Sequence, residues 1–225
     1  MNQDRAGGAA WIAASVVSLA LVVFHPTAHD YGTAGQVASA NVRMLVVHGG
    51  MLATMPLSLF GALALVRRTK AGAGFGELGL LTYALALVAG LVAAAVSLAA
   101  PALARPMFEA DVAARPGYVL LFEYSGVLIQ ALARIYVVAG WAAIALFSVA
   151  ALRGGSLPRP LGVYGLAAAS LCTLIVLSGH LKLSAHGFGA VLLLQAVWFV
   201  PAGAVLSRAA PIDPREAPEE RGLRA

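Results

Sequence analysis

A single cysteine, Cys172, is the only thiol in the 225-residue chain, so no disulfide framework exists; within the fifth apolar stretch it reads as a small core side chain. Charge is almost as scarce. Only 11% of residues are Asp, Glu, Lys or Arg, against 60% hydrophobic and a mean hydropathy of +0.85. Soluble domains carry about 25% charged residues. A soluble core of this size has no use for so much apolar surface. Two further absences narrow the chemistry. There is no compact zinc-protease signature of the H-E-x-x-H type. Nor do the two halves of the chain carry a matched pair of broken helices, the usual pointer to a transporter site; Pro56 and Pro201 stand as isolated packing devices.

What the sequence does have is six apolar stretches. They run from Ala9 to Phe24, Met44 to Val66, Leu78 to Ala100, Tyr118 to Leu152, Leu161 to Leu183 and Phe188 to Ser207. Roughly 20 apolar residues cross about 30 Å of hydrocarbon. The expected fold is therefore all-α, a polytopic bundle of six transmembrane helices over residues 1–208. Residues 209–225, rich in Pro, Glu and Arg, form an expected disordered tail. The small-residue run Ala38-Ser39-Ala40 resembles a signal-peptidase site but lies about 16 residues past the first apolar run, so that run reads as a retained helix.

Cytoplasmic loops retain Lys and Arg more than translocated ones. An inside N-terminus puts Arg5, Arg67, Arg68, Lys70, Arg153, Arg159, Arg208, Arg215, Arg221 and Arg224 in the cytoplasm, and leaves only Arg43, Arg105, Arg115 and Lys182 outside. Both termini are therefore expected to be cytoplasmic, in a bacterial inner membrane. The pI of 9.8 expresses this orientation and gives no nucleic-acid reading. Lys182, at a helix end, extends its ammonium to the interface and does not read as a retinal lysine.

All five histidines, His25, His29, His48, His180 and His186, fall at the outer end of these spans. Imidazole is the commonest protein ligand for metals and titrates near neutral pH. At about 1.5 Å per residue, His48, Glu123 and His180 lie at one depth on three helices, so they are expected to converge. The leading reading is an outward-facing metal site, zinc or copper. His48, His180 and Glu123 serve as first ligands, with His25, His29 or His186 completing or gating it; two histidines and a carboxylate suggest a hydrolase. Arg134 joins Glu123 as a candidate catalytic residue. The fourth stretch would make a helix of about 52 Å, too long for the hydrocarbon, so it either protrudes or breaks; with Arg134 at the outer interface the part from Gly117 to Gln130 projects outward, and in a helix sunk deeper Arg134 needs an internal partner. Glu123, Gln130 and Arg134 share one face of it. The alternatives are a b-type haem protein with His48 and His180 as axial ligands, and a non-catalytic accessory subunit. Expected partners are the lipid bilayer, a small-molecule or lipid substrate, and a homo-oligomer or membrane complex. Gly90, Ala93 and Ala94 read as close-packing positions.

The run Gln130-Ala131-Leu132-Ala133-Arg134-Ile135-Tyr136, the Leu-Pro-Arg-Pro-Leu-Gly turn from Leu157 and the Ser-Gly-His at Ser178 resemble an uncharacterised family of six-helix bacterial integral membrane proteins, over roughly residues 117–207. The resemblance implies the six-helix inner-membrane fold and no activity.

Overall fold

The computed structural model describes residues 3–27, 33–69, 72–181 and 183–208. Its helices are α1 (Gln3–Val23), α2 (Ala34–Arg68), α3 (Ala73–Ala104), the single turn α4 (Pro106–Glu109), α5 (Arg115–Gly154), α6 (Arg159–Leu177) and α7 (Ala185–Arg208), with no strand among the described residues. Six of them are long and apolar enough to cross a membrane. Each packs on its neighbour in chain order, α1 on α2, α2 on α3, α3 on α5, α5 on α6 and α6 on α7, and α7 returns to α1. The result is a closed ring. The expectations for His29, Lys182 and the tail fall outside the described residues.

Local chemistry moves several helix ends from where apolar runs alone put them. The first helix begins at Gln3 rather than Ala9, because Asp4 is buried against Arg68 of α2 with a 2.8 Å ion pair. Helix α2 starts ten residues before Met44: the Thr33 hydroxyl accepts from the Gln36 amide and caps it, although Gln36, Asn41 and Arg43 make that turn look like a loop. Helix α6 stops at Leu177, short of Leu183. There Gly179 turns the chain with φ +76, a left-handed conformation that glycine adopts without strain.

Opposite ends of the ring differ in content. The end bearing Arg68, Arg153, Arg159 and Arg208 is packed solid. Trp11, Trp141, Trp198 and Phe147 have no exposed surface, and the rings of Trp11 and Trp198 meet edge to face at 5.6 Å. Here α1 and α7 touch backbone to backbone: a Cβ on Gly8 would land on the carbonyl oxygen of Gly203. The histidine end is hollow. Its geometry follows from the register of the antiparallel pairs. Ser18 meets Thr54 at 3.1 Å, the His25 ring faces His48, Tyr136 stacks near Phe188 at 5.6 Å, and Gln130 donates to the Leu183 carbonyl at 3.0 Å.

Gln130 thus sits where α7 begins, and α5 continues unbroken past it for 15 residues to Arg115, about 22 Å beyond that level. This long helix is unbroken and extends past the start of α7.

Candidate functional site

Two sequence stripes create the hollow. On α2 the positions Met44, His48, Met51, Met55 and Ser58 recur at intervals of four and three residues, the spacing that holds one helix face toward a partner. On α3, Tyr83, Leu87, Gly90, Ala94 and Ser97 repeat the same interval. The α3 stripe narrows to small side chains toward the histidine end, so the space opposite the α2 methionines is left unfilled. Gln130, Ala133 and Tyr136 of α5 and Phe188 and Leu192 of α7 close the other side. A cavity of about 250 Å³ remains, reaching from Tyr83 and Ser58 at its floor to His25 and Ser184 at its mouth.

Gly90, Ala93 and Ala94 line this cavity, and Gly90 is also a close-packing position. A Cβ on Gly90 would press on the Tyr136 ring at 2.9 Å and the Met55 methyl at 3.1 Å.

Two imidazoles hold the mouth. The rings of His25 and His48 lie 5.0 Å apart, edge to face, with His48 only 9% exposed. His25 Nδ1 lies 2.7 Å from the Pro26 carbonyl oxygen, and His48 Nδ1 lies 3.2 Å from that of Met44. A carbonyl oxygen only accepts, so each neutral ring carries its proton on Nδ1 and donates it there, which leaves both Nε2 atoms as bare acceptors. Burial disfavours the charged form of His25 and lowers its pKa below the usual 6.5, with the Pro26 hydrogen bond opposing the shift. No Asp, Glu, Lys or Arg lines the cavity among the described residues. The mouth is therefore rich in electron-pair donors and carries no formal charge when both rings are neutral.

The other expected site residues lie elsewhere. Glu123 is exposed on the projecting part of α5, in a shallow groove with Val112, Arg115, Pro116, Val119 and Leu120. It stands seven residues, about 10 Å, beyond the Gln130 that touches the cavity. Equal depth with His48 assumed that α5 starts where the cavity does, and it starts well above. His180 is exposed beyond the Gly179 turn, its Nδ1 2.8 Å from the Ser178 hydroxyl. His186 and Arg134 are also exposed. Among the described residues no three His, Cys, Asp or Glu side chains form a metal-binding group. The expected His48–Glu123–His180 triad is thus not assembled among the described residues; His48 lines the cavity, and neither Glu123 nor His180 does. His25, which sequence reasoning placed in the supporting set, is the residue that pairs with His48. The methionines went unnoticed, although their four-three spacing around His48 was legible.

No protein-family model, curated protein or solved structure matches this chain.

Proposed function

We propose that the chain is a multi-pass protein of the bacterial inner membrane, with both termini in the cytoplasm. It binds a small, mostly apolar molecule in the cavity behind His25 and His48, entered from the outer side. The observation that carries this reading is the cavity itself, walled by apolar and small side chains and ending in two acceptor nitrogens. Pockets with apolar walls and a few convergent polar groups are the usual form of small-molecule sites. At about 250 Å³ it lies just below their usual range of roughly 300–1,000 Å³, which suits a single-ring or headgroup-sized molecule and not a whole phospholipid. Uncharged walls select a neutral ligand. Bare Nε2 atoms select one that donates a hydrogen bond, such as a phenol or an alcohol, while Gln130 and the hydroxyls of Ser97 and Tyr136 offer secondary contacts.

Membrane placement is supported by Leu81, Leu85, Leu171, Leu174 and Leu177, all exposed on the outer faces of the ring, a pattern that lipid satisfies and water does not. The basic residues at the solid end support a cytoplasmic position for it. Arg134, exposed near the level of the cavity mouth, fits the outer interface, with the start of α5 projecting beyond.

The test is extraction of the bound molecule. Protein purified in nanodiscs and denatured should release a compound below about 300 Da in near-equal ratio to chain. Ala94→Leu, which places three more carbons in the chamber, should release at least tenfold less while keeping the wild-type elution volume. Identical extracts from a folded Ala94→Leu and the wild type would overturn the reading.

A further inference from the structure

We propose that the mouth of this cavity is a site for a soft monovalent metal ion, Cu(I), held by Nε2 of His25 and His48 and by the thioethers of Met44 and Met51. The site shares the cavity with the small-molecule reading and rests on its being a binding site; it draws on the same two Nε2 atoms, so the ion and a hydrogen-bond-donating molecule occupy them alternately.

Four observations converge on that ion. Both rings are fixed through Nδ1 by backbone carbonyls, which is how metal-binding histidines are commonly oriented, with the opposite nitrogen presented. The ring separation also fits. With metal–nitrogen bonds of about 2 Å, each ring centre lies about 3 Å from the ion, so centres 5.0 Å apart subtend an angle of about 110°, the tetrahedral value. Met44 precedes His48 by four residues and Met51 follows it by three, so all three side chains share one face of α2, and all three line the cavity together with His25. Finally, no carboxylate, thiolate or other anionic group lines the cavity among the described residues. The desolvation cost of an ion rises with the square of its charge, so a divalent cation would meet about four times the penalty of a monovalent one, with nothing anionic to offset it. Thioether donors select the soft Cu(I) over zinc. The arrangement is not the expected zinc-hydrolase pattern; it replaces carboxylate with sulfur.

The experiment is a Cu(I) titration of the purified full chain under ascorbate, with bicinchoninic acid as competing chelator, together with X-ray absorption at the copper edge. The wild type should retain one Cu(I) per chain, with both nitrogen and sulfur neighbours, and should not retain Zn(II) through gel filtration. Met44→Leu combined with Met51→Leu conserves volume and should keep the fold, yet weaken Cu(I) retention at least tenfold and remove the sulfur shell. His48→Gln should weaken it a hundredfold or more. Failure of the wild type to compete for Cu(I), unchanged affinity in the double methionine variant, or equal retention of zinc would each overturn the proposal. A wild type that releases an organic compound but holds no copper sinks this inference alone; one that holds copper but releases no compound sinks the small-molecule reading alone.

Discussion

His25 shows how far a single residue's chemistry depends on its surroundings. Its ring is part-buried beside the His48 ring, outside any helix, so the folded protein holds it neutral at pH values where an exposed histidine would begin to protonate. The sign of the resulting pH dependence follows. The folded pKa lies below the unfolded value of 6.5, so the unfolded chain takes up the proton first. Stability is fully present above that value and declines as pH falls toward the folded pKa. Thermal melts of the metal-free protein in nanodiscs should show the midpoint steady from pH 8 to 7 and falling from pH 6.5 to 5, with His25→Gln flattening part of the decline. A midpoint that rises on acidification would contradict this assignment. From the sequence alone the ring's importance was legible, since five histidines gathered at one end. Its partner was not, because which of the other rings it meets depends on the register of α1 against α2, fixed by Asp4 with Arg68 and Ser18 with Thr54.

Among the elements, α1 and α7 close the ring, and they do so through absent side chains. Gly8 faces the Gly203 carbonyl oxygen and the Ser207 amide at contact distance, so a methyl at position 8 has nowhere to go but between two backbones. Gly8→Ala should therefore separate the two helices and cost about 1–3 kcal/mol, read as a lowered unfolding midpoint in detergent titrations. Gly35→Ala meets open space and should be close to neutral or slightly stabilising. Equal midpoints for the Gly8 and Gly35 variants would contradict the packing described. Apolar length made the six helices legible in the sequence. Their ends were less so, because an ion pair extended α1, a threonine cap extended α2 and a glycine turn ended α6. The glycine turn puts His180 outside α6, and α5 runs past the cavity to Arg115, so depths counted from the apolar runs did not bring His180 and Glu123 to His48. Glu123 illustrates the consequence: a correct helix with its start placed at the wrong height carries its carboxylate out of the site.

At the scale of the molecule, one end of the ring is a solid aromatic plug and the other a chamber, and the basic residues collect at the solid end. The proposed orientation puts the plug in the cytoplasm. A fluorescent protein fused after residue 225 should fluoresce, and alkaline phosphatase fused there should be inactive; the opposite pair of results would invert the molecule. The chamber was partly readable beforehand, in the four-three stripes of α2 and α3. What hid it was that Gly90, Ala93 and Ala94 fit close helix packing equally well, and only the neighbours across the gap decide between the two uses. The central claim is that this chamber holds a molecule against His25 and His48. The most direct measurement is an electron-density map from crystals grown in a lipid mesophase from gently extracted protein. Non-protein density between Met51 and Tyr83, reaching hydrogen-bond distance of the imidazole Nε2 atoms, is the predicted result. A chamber collapsed by the side chains of Met55 and Tyr136, with the two imidazoles turned to lipid, would contradict it.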